Sequence, residues 1–122
     1  MSRRESSRSR GARPAPLRLL AGWRSYIEAV RRAVEKTVPG ARLYLAGGAA
    51  EGRLTVASDI DVLVVLPRRP SYTEAVELRA RILEEAERQG LPLYAPVELH
   101  IIGSEDLEGY RRRGRVVPLD GG

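Results

Sequence analysis

The 122-residue chain has no cysteine, a single histidine and no long apolar run, and each shortage removes a class of function. Without thiols there are no disulfides, no thiolate metal sites and no thiol nucleophile. With His100 as the sole imidazole, a zinc site built from histidines of one chain is excluded too. Any metal is therefore expected on oxygen. The longest purely apolar run, residues 62–66, is closed by Pro67, far short of the roughly 20 residues of a membrane-spanning helix. No membrane association is expected, and the expected compartment is the cytoplasm. The length allows one domain and one hydrophobic core, not a catalytic domain with a separate substrate domain. At 43% hydrophobic and 30% charged residues the composition is globular.

A net charge of +5 invites a nucleic-acid reading until the charge is located. Residues 1–16 carry five arginines against Glu5, and residues 111–122 carry Arg111, Arg112, Arg113 and Arg115 against Asp120. The body between them is mildly acidic, with 12 basic and 14 acidic groups. Residues 1–16, rich in Ser, Arg, Gly and Pro, lack the apolar surface that would offset the entropy of ordering, and are expected to form a disordered basic tail. Arg18, Arg24 and Glu28 interrupt the one candidate signal-peptide core. A transit peptide and a misassigned start codon are the other readings of this segment. Nucleic-acid contact is expected only through the two basic ends. For the cluster at 111–115, phosphate binding and a plain solvated face stand as equal readings.

Residues 17–122 are expected to form a single domain. Leu19, Leu20, Trp23, Ile27, Val30, Val34 and Val38 recur in steps of three and four, the stripe of an amphipathic helix that Pro39-Gly40 stops. Residues 43–45 read as a short strand running into Gly47-Gly48, followed by a polar loop to Ser58. Residues 60–66, β-branched and closed by proline, read as a buried central strand. A second helix is predicted over 72–89, ending at Gly90. A third strand is predicted over 96–102, and one more short helix over 105–113. The class is α/β or α+β, a mixed β-sheet flanked by helices.

The chemistry concentrates around the central strand. Asp59 and Asp61, two apart, share a strand face while Ile60 and Val62 point into the core. Neighbouring carboxylates repel unless a cation lies between them, and oxygen ligation points to magnesium or manganese. Upstream, Gly47-Gly48 lets backbone approach a phosphate closely. An Asp-x-Asp or a Gly-Gly turn alone is common; their combination across ten residues, 49–58, puts glycine backbone and carboxylates at adjacent strand ends.

The stretch LYLAGGAAEGRLTVASDIDVLVVL, residues 43–66, resembles the signature of the DNA polymerase beta-like nucleotidyltransferase superfamily, and specifically its minimal nucleotidyltransferases. Ser58-Asp59-Ile60-Asp61 is its most specific part. The resemblance implies a mixed sheet flanked by helices, two Mg2+ ions on three carboxylates, and transfer of a nucleoside monophosphate from a nucleoside triphosphate, with ATP first among donors. It assigns Asp59 and Asp61 as catalytic metal ligands and Glu98 as the third carboxylate, with Gly47, Gly48 and Ser58 on the nucleotide. Gly48 stands where the family has serine, and Glu98 where aspartate is commoner; both departures favour a degenerate member.

Arg53, between the glycines and the acids, reaches a triphosphate in one reading and is a solvated loop residue in the other. His100 shares a face with Glu98, and a lone strand histidine reads first as a packed structural residue. Trp23 lies on the first helix stripe and reads as core. Because the chain is short, the acceptor is expected on a second protein or in a homodimer, and the family resemblance makes a HEPN-type toxin the first candidate. The competing classes are a nucleotidyltransferase-fold binding module without turnover, and a nucleic-acid binder acting through the basic ends.

Overall fold

Tyr26, Ile27, Ala29, Val30, Ala33 and Val34 are the buried stripe of helix α1 (Trp23–Thr37) in a computed structural model that describes residues 22–50 and 59–119. The residue before a proline is pushed out of the helical region. Val38, ahead of Pro39, accordingly sits at φ −137° and ψ 71° and ends α1. Strand β1 (Arg42–Ala46) follows, then a single helical turn α2 (Gly47–Ala50), and strand β2 (Ile60–Leu66). Helix α3 (Tyr72–Arg88) leads to strand β3 (Val97–Gly103), a 3-10 turn (Ser104–Asp106), helix α4 (Leu107–Arg113) and strand β4 (Val116–Pro118).

The mixed sheet runs β3-β2-β1-β4, with β2 and β3 parallel across the α3 crossover and the β1–β2 and β1–β4 pairs antiparallel. The α+β class is as the sequence predicts. Four details differ. Helix α1 begins at Trp23 among the described residues, α2 occupies the start of what reads as loop, α4 is preceded by a 3-10 turn, and β4 has no counterpart in the sequence reading. At three residues, β4 is too short to show alternation; its pairing with Tyr44, Leu45 and Ala46 creates it. The basic tail, residues 1–16, lies outside the described residues.

Strand β2 is buried on both faces. Ile60, Val62 and Val64 pack with α1 and α3 through Val30, Val34, Ile82 and Ala86, whereas Leu63 and Val65 join Tyr44, Ala46, Ile102 and Leu107 beneath α4. Each such fully buried aliphatic side chain contributes about 1.5–3 kcal/mol. Helix α3 opens on a capping box: Ser71 Oγ accepts from the Glu74 amide at 3.1 Å, and Glu74 Oε1 accepts from the Ser71 amide at 2.8 Å. Its buried Glu85 accepts from Lys36 Nζ of α1 at 3.3 Å, tying the two helices.

The α4 side is anchored separately. Asp106 accepts from Arg69 Nε at 3.1 Å and from the Gly103 amide at 3.1 Å. A Cβ at Gly103 would lie 2.2 Å from the Arg69 backbone nitrogen. Only glycine lets the β2–α3 connection cross so close to the end of β3.

Candidate active site

The sheet face under α4 is apolar except at one end. Asp61 shares that face with Leu63 and Val65, and Glu98 shares it with His100 and Ile102, because alternate strand residues point the same way. Register then sets the neighbours: Ala46 pairs with Asp61 across β1–β2, and Asp61 with Glu98 across β2–β3. His100 is one pleat further along and reaches back, its Nε2 3.1 Å from Asp61 Oδ1. Donor atoms of Asp61, Glu98 and His100 all lie within 4.8 Å of one another.

Gly47 follows Ala46 at φ +69°, the left-handed region that favours glycine, and a Cβ there would meet Asp61 Oδ2 at 2.6 Å. The glycine backbone therefore lies directly against the carboxylate, the juxtaposition that the spacing of the two motifs predicts. Gly48 continues into α2. Asp59, the residue just ahead of β2, is exposed and is not part of the three-residue cluster. Ser58 and Arg53 lie outside the described residues.

Ala46, Gly47, Asp61 and His100 form one wall of a cleft of about 260 Å³, and Tyr110, Arg113, Gly114 and Arg115 form the other. The Tyr110 ring stands 6.1 Å from the His100 imidazole, tilted by 60°, and the Arg113 guanidinium lies 4.7 Å over the same tyrosine ring. Asp61 thus shares the cleft with two arginines, Arg113 and Arg115. That arrangement suits a polyphosphate carried with a divalent cation, since each wall takes the opposite charge.

Two expectations change here. The cluster offers an imidazole nitrogen beside its carboxylate oxygens, so oxygen-only ligation does not describe its donor set, and His100 is part of the polar site rather than packing alone. For the basic cluster at 111–115, where phosphate contact and a solvated face stand as equal readings of the sequence, Arg113 and Arg115 line the cleft. The sequence signal for these arginines was present. What hid their place was β4: pairing of Val116 with Ala46 carries Gly114 and Arg115 back beside Gly47.

A family model described as a nucleotidyltransferase domain matches residues 27–112. The chain belongs to this nucleotidyltransferase family. The match spans β1, β2 and β3 and so includes the glycine pair, both aspartates and Glu98, as expected of a minimal nucleotidyltransferase of the DNA polymerase beta-like superfamily. Among solved structures, a Sulfolobus solfataricus protein provisionally assigned as a nucleotidyltransferase is similar in fold, with a TM-score of 0.54 over 90% of each chain at 16% identity. No curated protein matches the chain. Nucleotidyltransferases generally use divalent metals, and the residues fit one: two carboxylates and an imidazole converge beside glycine backbone. No helix among the described residues is long and apolar enough to cross a membrane.

Proposed function

We propose that this nucleotidyltransferase is a metal-dependent AMP transferase that takes ATP as donor and a hydroxyl group as acceptor. The observation that carries the reading is the cleft itself, where Gly47 and Asp61 share the lining with Arg113 and Arg115 and Asp61 clusters with Glu98 and His100. Asp61 and Glu98 would hold magnesium or manganese, with Asp59 joining from just ahead of β2 when a second ion is bound. Such an ion lowers the pKa of a hydroxyl and neutralises phosphate charge. Gly47 and Gly48 admit the phosphates close to the backbone, and the two arginines draw the triphosphate against the opposite wall. Glu98, exposed on β3 beside Asp61, would accept the proton of the incoming hydroxyl.

The acceptor is proposed to lie on a second protein in the cytoplasm, with a HEPN-type toxin as first candidate on the strength of the family resemblance and a second copy of the chain as the other. Purified protein with labelled ATP and a divalent ion, with and without the product of a neighbouring gene, should transfer label, and Asp61→Asn should abolish the transfer. Absence of both nucleotide and metal binding would overturn this reading. One observation favours a second reading, a binding module without turnover: Asp59 stands apart from the three-residue cluster. Metal-dependent ATP binding with no transfer to any partner selects it.

A further inference from the structure

A carboxylate-only site would be indifferent to the one feature that sets this cluster apart, the imidazole of His100. Its Nε2 is 3.1 Å from Asp61 Oδ1, and both lie within 4.8 Å of a Glu98 oxygen. Donors bound side by side to one ion at about 2.1 Å stand about 3 Å apart, so the 3.1 Å contact of His100 with Asp61 already fits a shared ion, and Glu98, exposed on β3, completes the set by a rotation of its side chain. The β2–β3 register holds Asp61 and Glu98 side by side, and the Tyr110 ring flanks the imidazole.

We infer that His100 Nε2 is a metal ligand, and that it makes the site prefer a divalent first-row transition ion, of the manganese class, over magnesium. Magnesium favours oxygen donors and gives up water reluctantly, whereas imidazole nitrogen binds the transition ions better. The inference rests on the reading of this cleft as the metal-holding site of the transferase and adds the identity of the ion. The same 3.1 Å contact would serve a different role if His100 only orients Asp61 by a hydrogen bond, and the experiment separates the two.

The full chain is titrated with Mn2+ alone and with Mg2+ alone, without nucleotide, as the native protein and as His100→Asp and His100→Ala. Thermal melts confirm that each variant is folded, and His100→Asp keeps a metal-competent oxygen should His100→Ala fail to fold. The native protein should bind Mn2+ more tightly than Mg2+, and His100→Asp should shrink that ratio about tenfold or more. The pulsed electron-spin-echo spectrum of the Mn2+ complex should show nitrogen coupling that disappears in His100→Asp. A Mn2+ complex without nitrogen coupling, or a ratio unchanged in His100→Asp, overturns the inference while leaving the transferase reading standing if magnesium-supported transfer is seen. Binding of neither ion overturns both.

Discussion

Replacing Gly47 by alanine tests whether glycine at this turn is a backbone necessity or a guard on the metal-binding carboxylate. Gly47 has φ +69°, and an added Cβ would lie 2.6 Å from Asp61 Oδ2, whereas ordinary contact begins at 3.4 Å. An L-residue in the left-handed region costs about 1–2 kcal/mol. The contact adds little to that, because its other half is the end of a side chain that is 32% exposed and can swing aside. Swinging aside by about 0.8 Å, from 2.6 to 3.4 Å, moves the carboxylate relative to Glu98 and His100. Loss of the contacts that orient a metal ligand costs about 10- to 100-fold in metal affinity. Gly40 at φ +94° and Gly90 at φ +109° supply the control, since an added Cβ meets nothing within 4 Å at either. Gly40→Ala, Gly90→Ala and Gly47→Ala should each lose about 1–2 kcal/mol in urea melts. Only Gly47→Ala should also lose Mn2+ affinity, by about 10- to 100-fold in a calorimetric titration. Undiminished metal affinity in a Gly47→Ala protein destabilised like the controls would refute the role given to this glycine.

The two walls of the cleft make separable predictions. Arg113→Ala and Arg115→Ala should each weaken ATP binding by about tenfold, the scale of one charge-assisted hydrogen bond, and flatten its salt dependence while leaving Mn2+ affinity unchanged; equal loss of both would show that the wall supports the fold rather than the nucleotide. Away from the cleft, Glu85 has its carboxyl held below the ordinary value of 4.5 by hydrogen bonds from Gln89 and Arg88, with a further contribution from Lys36. A depressed carboxylate stabilises the fold above its unfolded pKa and ceases to do so as pH falls through its folded one. The melting temperature of Glu85→Gln should therefore lie below that of the native protein at pH 7 and converge with it as pH drops below about 4.5. Melting curves that stay parallel from pH 7 to 3 would show that the charge of Glu85 is not what ties α3 to α1.

What the sequence conveyed and what it hid divide along physical lines. Strand β2 was legible to its last residue, because a seven-residue β-branched run closed by Pro67 has few alternatives. Helix α1 followed from its apolar stripe and α3 from a run that stops at Gly90, and the approach of Gly47 to Asp61 followed from motif spacing once both were placed at strand ends. The sharing of a face by Glu98 and His100 was also legible. That His100 reaches Asp61 was not, because it depends on the β2–β3 register, in which Asp61 pairs with Glu98 rather than with a residue further along. Tyr110, Arg113 and Arg115 stayed hidden for a similar reason. Their place is set by the pairing of β4 with β1, three residue pairs with no pattern of their own.

The same edge strand divides the cleft mechanically. The acidic wall rests on β2, whose Ile60, Val62, Leu63 and Val64 are fully buried and can open only when the core does. The basic wall hangs between a seven-residue helix and a three-residue strand joined to β1, a unit with few buried apolar contacts of its own. Such a unit can detach at a fraction of the free energy of global unfolding. A polyphosphate that bridges the walls would join two cooperative units into one, so that occupancy registers as slowed amide exchange along β4 while the exchange of β2 stays as slow as before.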